Sequence, residues 1–333
     1  MITLAEAKVG MADKVDQQVV DEFRRNSMLL DVMEWDDAVS PTGGSTLAYG
    51  YMRLETPSVG GTRALNTEYT AQEAKRKEYK TNLKVFGGSF QIDRVIAQTS
   101  GAVDEVEFQV QEKVKGTIAA WNNAVINGDE AEDGTVFDGL SEALAGSNTE
   151  LNTASHIDLS TSAAMDTNYK TFMDLLDEFF ALLMAKPDYI LCNDKMKARL
   201  SGIARRAGYF TRQEDAFGNL VDCYNGVPIL DMGYIAAVSD GSVTEKQVIN
   251  TVSREFGEST SKTTVTGLTD IYALCLGRNA FHGVTVASGQ MINTYLPDLQ
   301  APGAVKTGEV EMVSGIALKN TRAAGVIRNL KIQ

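Results

Sequence analysis

The chain has 333 residues, of which 44% are apolar, and a formal net charge of −13. The apolar share is near the globular norm and excludes a disordered chain, and the length allows one or two domains. The acidic balance argues against a regulator that grips nucleic acid through a basic face, while an acidic enzyme and a container wall suit it equally.

Residues 1–34 read as a polar arm with weak helical periodicity (Leu4, Met11, Val15, Val19, Phe23). The arm has no uninterrupted apolar stretch of the secretory kind, and no run of 18 apolar residues occurs anywhere. The expectation is therefore synthesis in a cytoplasm and no membrane span. A loop at Ser40-Pro41-Thr42-Gly43-Gly44 leads into residues 46–93, which read as one long hairpin. Its tip, residues 56–74, is rich in Gly, Thr and polar residues. On its second limb Tyr79, Leu83 and Val85 share one face, and Lys80, Asn82 and Lys84 share the other. After Gly87-Gly88 the phase flips to Phe90 and Ile92, which predicts a bulge or bend. A hairpin with so few apolar residues builds no core of its own and needs a body or a neighbouring molecule to rest on.

The strongest helical pattern covers residues 102–127. Val103, Val106, Val110, Val114, Ile118, Trp121 and Val125 form one stripe, Asp104, Glu105 and Glu107 stand at its start, and Asn127-Gly128 ends it. Its length would be about 35–40 Å. The acidic turn GDEAEDGTVFDGL follows, and residues 146–168 read as loop. A broad apolar helix over Tyr169–Lys186, closed by Pro187, comes next. Then come a buried strand (DYILCN), a helix with Met196, Leu200 and Ile203 on one face, and further strands at GVPILDMG and DIYALCLG. This alternation predicts an α/β domain. At the C-terminus Val310, Met312, Ile316 and Leu318 alternate against Glu309, Glu311, Ala317 and Lys319, and AAGVIRNLKI is a last strand.

No residue set assembles into a catalytic centre. His156 and His282 stand in neither a nucleophile elbow nor a zinc-binding helix, and a surface or packing role is expected of both. Asp129, Glu130, Glu132 and Asp133 resemble a calcium loop, but Ala131 and Leu140 stand where ligands are required. Val59-Gly60-Gly61-Thr62-Arg63 lacks the spacing of a phosphate loop. Cys192, Cys223 and Cys275 are odd in number and widely spaced, so buried free thiols are expected. The expectation is a protein that is not an enzyme, with no metal and no cofactor. Lys75, Arg76, Lys77, Lys80 and Lys84 concentrate positive charge on this acidic chain. They form either a solvated strand face or, with Arg63 at the tip, a surface that docks on the carboxylates of a neighbouring copy. Binding of nucleic acid ranks third, because Tyr79 falls on the opposite face and no aromatic platform interleaves the charges as single-strand binding would favour.

The order of arm, long hairpin, single long helix, acidic turn, α/β domain and β return resembles the Hong Kong 97-type fold of tailed-phage major capsid proteins. The ending VEMVSGIALKNTRAAGVIRNLKI is similar to that family's final strands. The resemblance implies an α+β fold with an N-terminal arm (1–40), an extended loop (41–97), a peripheral domain with the spine helix (98–145 and 288–333) and an axial α/β domain (146–287). It implies self-association into hexamers and pentamers of an icosahedral head around double-stranded DNA, assembled in a host bacterial cytoplasm. The extended loop would lie across an adjacent subunit, and interfaces of this kind bury over roughly 2,000 Å². The partners implied are further copies of the chain, a separate scaffolding protein, since Met1 leads straight into the arm, a portal, a decoration protein, and packaged DNA held only weakly. An encapsulin-like compartment shares the fold and is the first alternative. A cytoplasmic α/β enzyme and a tail component are more remote.

Overall fold

The computed structural model describes residues 29–39, 47–99, 104–208, 211–214, 220–239, 242–257, 262–287 and 291–333. Residues 1–28 of the expected arm and the loop at 40–44 lie outside them. Strand β1 (Trp35–Val39) precedes a hairpin of β2 (Ala48–Thr56) and β3 (Lys75–Asn82), and β4 (Lys84–Asp93) leads towards the long helix α1 (Glu105–Asn127). An α/β block then runs through β5 (Glu150–Asp158), α2 (Ser162–Leu182), β6 (Tyr189–Cys192), α3 (Asp194–Ala207), β7 (Thr211–Glu214), β8 (Leu220–Tyr224) and β9 (Val227–Asp231). A second hairpin, β10 (Tyr234–Ser239) with β11 (Ser242–Gln247), is followed by β12 (Val252–Phe256), β13 (Thr263–Leu274) and β14 (Phe281–Val286). The chain closes with β15 (Ile292–Tyr295), β16 (Val305–Leu318) and β17 (Ala324–Lys331).

Two larger sheets organise these strands. A five-stranded sheet has the order β1-β14-β16-β15, with β4 also paired to the long β16. An eight-stranded sheet runs β5-β17-β13-β6-β9-β8-β7, with β12 on β13. β1 on β14, β5 on β17 and β6 on β9 are parallel pairs, so both sheets are mixed. The final strand β17 hydrogen-bonds within the eight-stranded sheet and not beside β16.

Helix α1 starts where the residue types say it should. The Asp104 carboxylate accepts from the amides of Val106 and Glu107 at 2.9 and 3.2 Å, and Glu105 and Glu107 sit in the first turn, where the dipole favours anions. It ends at Gly128, where a Cβ would stand 2.1 Å from the carbonyl of Phe137. The expected single stripe is only half realised. Trp121 and Val125 are fully buried, but Val106, Val110, Val114 and Ile118 are half-buried. The C-terminal half is enclosed on several sides instead, with Thr117, Ala119, Asn122, Ala124 and Ile126 buried too.

Four other expectations need correction. Residues 146–168 are not a loop. They hold β5, whose polar sequence is sustained by its pairing with β17, and the start of α2, capped by Thr161 on the amide of Ala164 at 3.1 Å. That helix stops at Leu182, well before Pro187, because Leu183 turns extended and the Met184 amide bonds to the carbonyl of Arg322 at 2.9 Å. The second hairpin limb ends at Asn82, and β4 pairs with β16 in unbroken register from Lys84↔Ser314 to Asp93↔Val305, so Gly87-Gly88 is not a bulge. The phase change falls instead at Leu83, which is buried and donates its amide to Leu47, and it leaves Val85 exposed. Gly87 is needed for close approach, since a Cβ there would lie 2.1 Å from the carbonyl of Val310. Finally, Ala317 is buried although its phase points away from Ile316, because that end of β16 is covered on both faces.

The strands DYILCN, GVPILDMG and DIYALCLG form as expected, as does α3 with Met196, Leu200 and Ile203 inward. Asn193 caps α3 through the amide of Met196, and Gly208, at φ +80°, ends it in the left-handed region. The three cysteines are buried thiols outside any disulfide among the described residues, and burial raises the pKa of Cys192 and of Cys275. No helix among the described residues is long and apolar enough to cross a membrane.

Candidate assembly interface

The hairpin divides into an anchored base and a free limb. Direct cross-strand pairs place Tyr49, Tyr51 and Arg53 of β2 on one face with Lys77, Tyr79 and Thr81 of β3. This face lies against the five-stranded sheet. The Tyr49 hydroxyl donates to Asp36 at 2.9 Å and the Tyr51 hydroxyl to the carbonyl of Leu318 at 3.1 Å. The Arg53 guanidinium donates to Leu318 and Lys319 carbonyls at 2.6 and 3.0 Å. The rings of Tyr51 and Tyr79 stack at 6.0 Å, with Arg53 centred 4.2 Å above Tyr79. Burial pushes the Tyr51 phenol pKa up, against the opposing pull of Arg53. Beneath the base, Leu83, Val284, Val286 and Ala317 form a small apolar cluster of their own.

Beyond the base no described residue of the same chain covers the hairpin. Every residue from 54 to 78 is exposed, a stretch that reaches on the order of 30 Å outward at the rise of extended chain. Met52 and Leu54 are 63% and 61% exposed, and Leu65 at the tip is 90% exposed. Apolar side chains this open on a projecting limb are the ordinary mark of a contact surface.

The positive residues sort into three groups. Arg76 and Lys80 share the outer face with Met52, Leu54 and Glu78, and Lys75 stands opposite Thr56 past a register shift. Lys80 lies 3.7 Å from Glu78, an exposed pair worth little. Lys77 lies on the tyrosine face, 5.5 Å over Tyr79, and Arg63 at the tip is 5.4 Å over Tyr69 and bonded to the carbonyls of Ala64 and Thr67. The reading that no aromatic ring interleaves these charges is therefore wrong for Lys77, which is odd-numbered like Tyr79 and shares its face. Lys84 differs from the rest: its ammonium binds Glu130 at 2.8 Å and the carbonyl of Gly134 at 2.7 Å within the same chain. It fixes the acidic turn to β4 and is not part of the free limb.

The acidic turn itself is occupied by its own backbone. Asp129 accepts from the amides of Ala131 and Glu132, Asp133 from the amide and hydroxyl of Thr135, and Asp138 from the amide of Glu130. The Lys84 contact holds the Glu130 carboxyl below its usual range, and Thr135 does the same for Asp133. No cluster of potential metal ligands occurs among the described residues. His156 sits 5.7 Å from the ring of Phe256, and His282 is enclosed beneath the hairpin base against Tyr49. The anchors Tyr49, Tyr51 and Arg53 went unnoticed at the level of sequence, although their two-residue spacing is a strand signal.

A family profile described as SU10 major capsid protein matches residues 59–240, more than half of the chain. No curated protein matches. Among solved structures, the holo-SrpI encapsulin complex from Synechococcus elongatus PCC 7942 is similar with a TM-score of 0.62 at 16% identity, over 99% of this chain and 96% of that one. The capsid of an empty GTA particle is similar with a TM-score of 0.60 at 11% identity, over 98% of each chain. The capsid of Myoviridae phage XM1 gives 0.55 at 10% identity, over 99% of each. At such identities the likeness speaks for the fold.

Proposed function

The chain belongs to the SU10 major capsid protein family, and we propose that it builds a closed shell by binding copies of itself. Its fold is that of Hong Kong 97-type capsid proteins. The proposed shell is an icosahedral phage head of hexamers and pentamers that encloses double-stranded DNA and is assembled in a bacterial cytoplasm. The peripheral unit would be the five-stranded sheet with α1, and the axial unit the eight-stranded sheet including β17. A scaffolding protein, a portal and a decoration protein would act on this shell, and DNA would be held only by weak contacts with an acidic wall.

The observation that carries the reading is the limb from residue 54 to 78, exposed at every position and joined to a base that is firmly anchored. Ordering such a limb costs conformational entropy that the described residues of its own chain do not offset, and a neighbouring copy would supply the contacts. Arg63, Lys75, Arg76, Lys77 and Lys80 would then meet the partner's carboxylates. Removing residues 57–74 should leave a folded subunit that sediments as a small species under conditions where the intact chain forms large particles. Particles of normal size from the shortened chain would refute the role of the limb. The likeness to an encapsulin supports a second reading, a protein compartment, and the content of purified particles separates the two: DNA for a phage head, protein cargo for a compartment.

A further inference from the structure

We propose that His282 is a proton-sensitive latch that holds the base of the hairpin on the five-stranded sheet and lets it loosen when protonated. His282 lies on β14 opposite Ala317, on the face that the hairpin base covers. Its side chain is fully buried, and neither ring nitrogen has a hydrogen-bond partner among the described residues. The ring meets Tyr49 of β2 edge-on, with centroids 5.8 Å apart. A neutral imidazole tolerates this packing. An imidazolium carries two N–H donors and a charge, and both need an acceptor or water.

The surroundings offer none without a rearrangement. The charged groups facing the ring are Lys319, which follows β16, Asp36 and Glu34 at β1, and Arg278, which precedes β14. Two are positive and two negative, so an added proton is uncompensated. One oxygen of Asp36 already accepts from the Tyr49 hydroxyl at 2.9 Å. Lys319 stands 5.3 Å over the Tyr49 ring on the same side. With no acceptor among the described residues within hydrogen-bond reach of either ring nitrogen, a protonated His282 pulls Asp36 towards the ring, straining its bond to Tyr49, or admits water between β2 and β14. Either change frees Tyr49, the innermost tyrosine of the base.

The sign of the pH dependence follows. Burial first, and Lys319 second, lower the pKa of His282 below its ordinary value of 6.5. The loosened base takes up the proton more readily than the closed one, so closure is fully stabilised above 6.5 and weakens as the pH falls below it.

Hydrogen exchange on the unassembled, full-length subunit tests the latch. Between pH 7.5 and 5, after correction for intrinsic exchange, amides of residues 48–56 and 75–82 should lose protection by up to about tenfold per pH unit. His282→Gln should abolish that loss, and His156→Gln should not. Protection that stays constant in the natural chain, or an acid loss that survives His282→Gln, would overturn the proposal. If His282→Gln does not fold, nuclear magnetic resonance of the natural chain decides, since there are two histidines and His156→Gln assigns them. The His282 ring should titrate in step with the loss of protection. Opening of the hairpin while that ring is still neutral would contradict the latch.

Discussion

Asp270 is 8% exposed and stands at the centre of a cluster that joins four strands of the eight-stranded sheet. Arg254 of β12 donates to both of its oxygens, at 2.7 and 2.6 Å, and Arg328 of β17 approaches at 3.4 Å while also binding Glu150 of β5. Asn329, at φ +69°, donates its amide to Asp270 and its side chain to Asn152. Two carboxylates thus balance two guanidinium groups in a site with little water, and loss of one member leaves a charge without its partner. Asp270→Ala should cost about 3 kcal/mol, read as a lower urea midpoint at pH 7. An unchanged midpoint would mean that the cluster is solvated and contributes little.

At the scale of elements, the hairpin limb is the part most exposed to test. Reversing Lys75, Arg76 and Lys77 to glutamate should weaken assembly, most strongly at low salt, where charges are least screened. Light scattering across a salt series would show it, and indifference at every salt concentration would mark these residues as a solvated face. Helix α1 was legible from its caps and its hydrophobic stripe, both set by residues close in sequence. So were β6, β9 and α3, where short apolar runs and an Asn cap agree. β5 was not legible, because ELNTASHID is polar and becomes a strand only by pairing with β17, more than 160 residues away in the chain. The positive limb was legible as a charge cluster. Its division into an anchored and a free face was not, since the anchoring carbonyls of Leu318 and Lys319 lie over 260 residues from Tyr51 and Arg53. The sequence distance hides which lysines are free and which, like Lys84, are committed to their own chain.

The described residues form two larger mixed sheets, the long helix α1, the helices α2 and α3, the small β10–β11 hairpin and a long hairpin that leaves the body. Within one chain the hairpin is anchored at its base by hydroxyl and guanidinium contacts, and its residues 54–78 are exposed among the described residues. In the proposed shell, one such limb per copy would link every subunit to its neighbour, and individually modest contacts would add up over the symmetric assembly. Negative-stain electron microscopy of the purified full-length protein, with and without a co-expressed scaffolding protein, tests this claim most directly. Closed polyhedral particles, or hexameric and pentameric rings, are the predicted result. A uniform monomer or dimer under every condition, scaffold included, would contradict it.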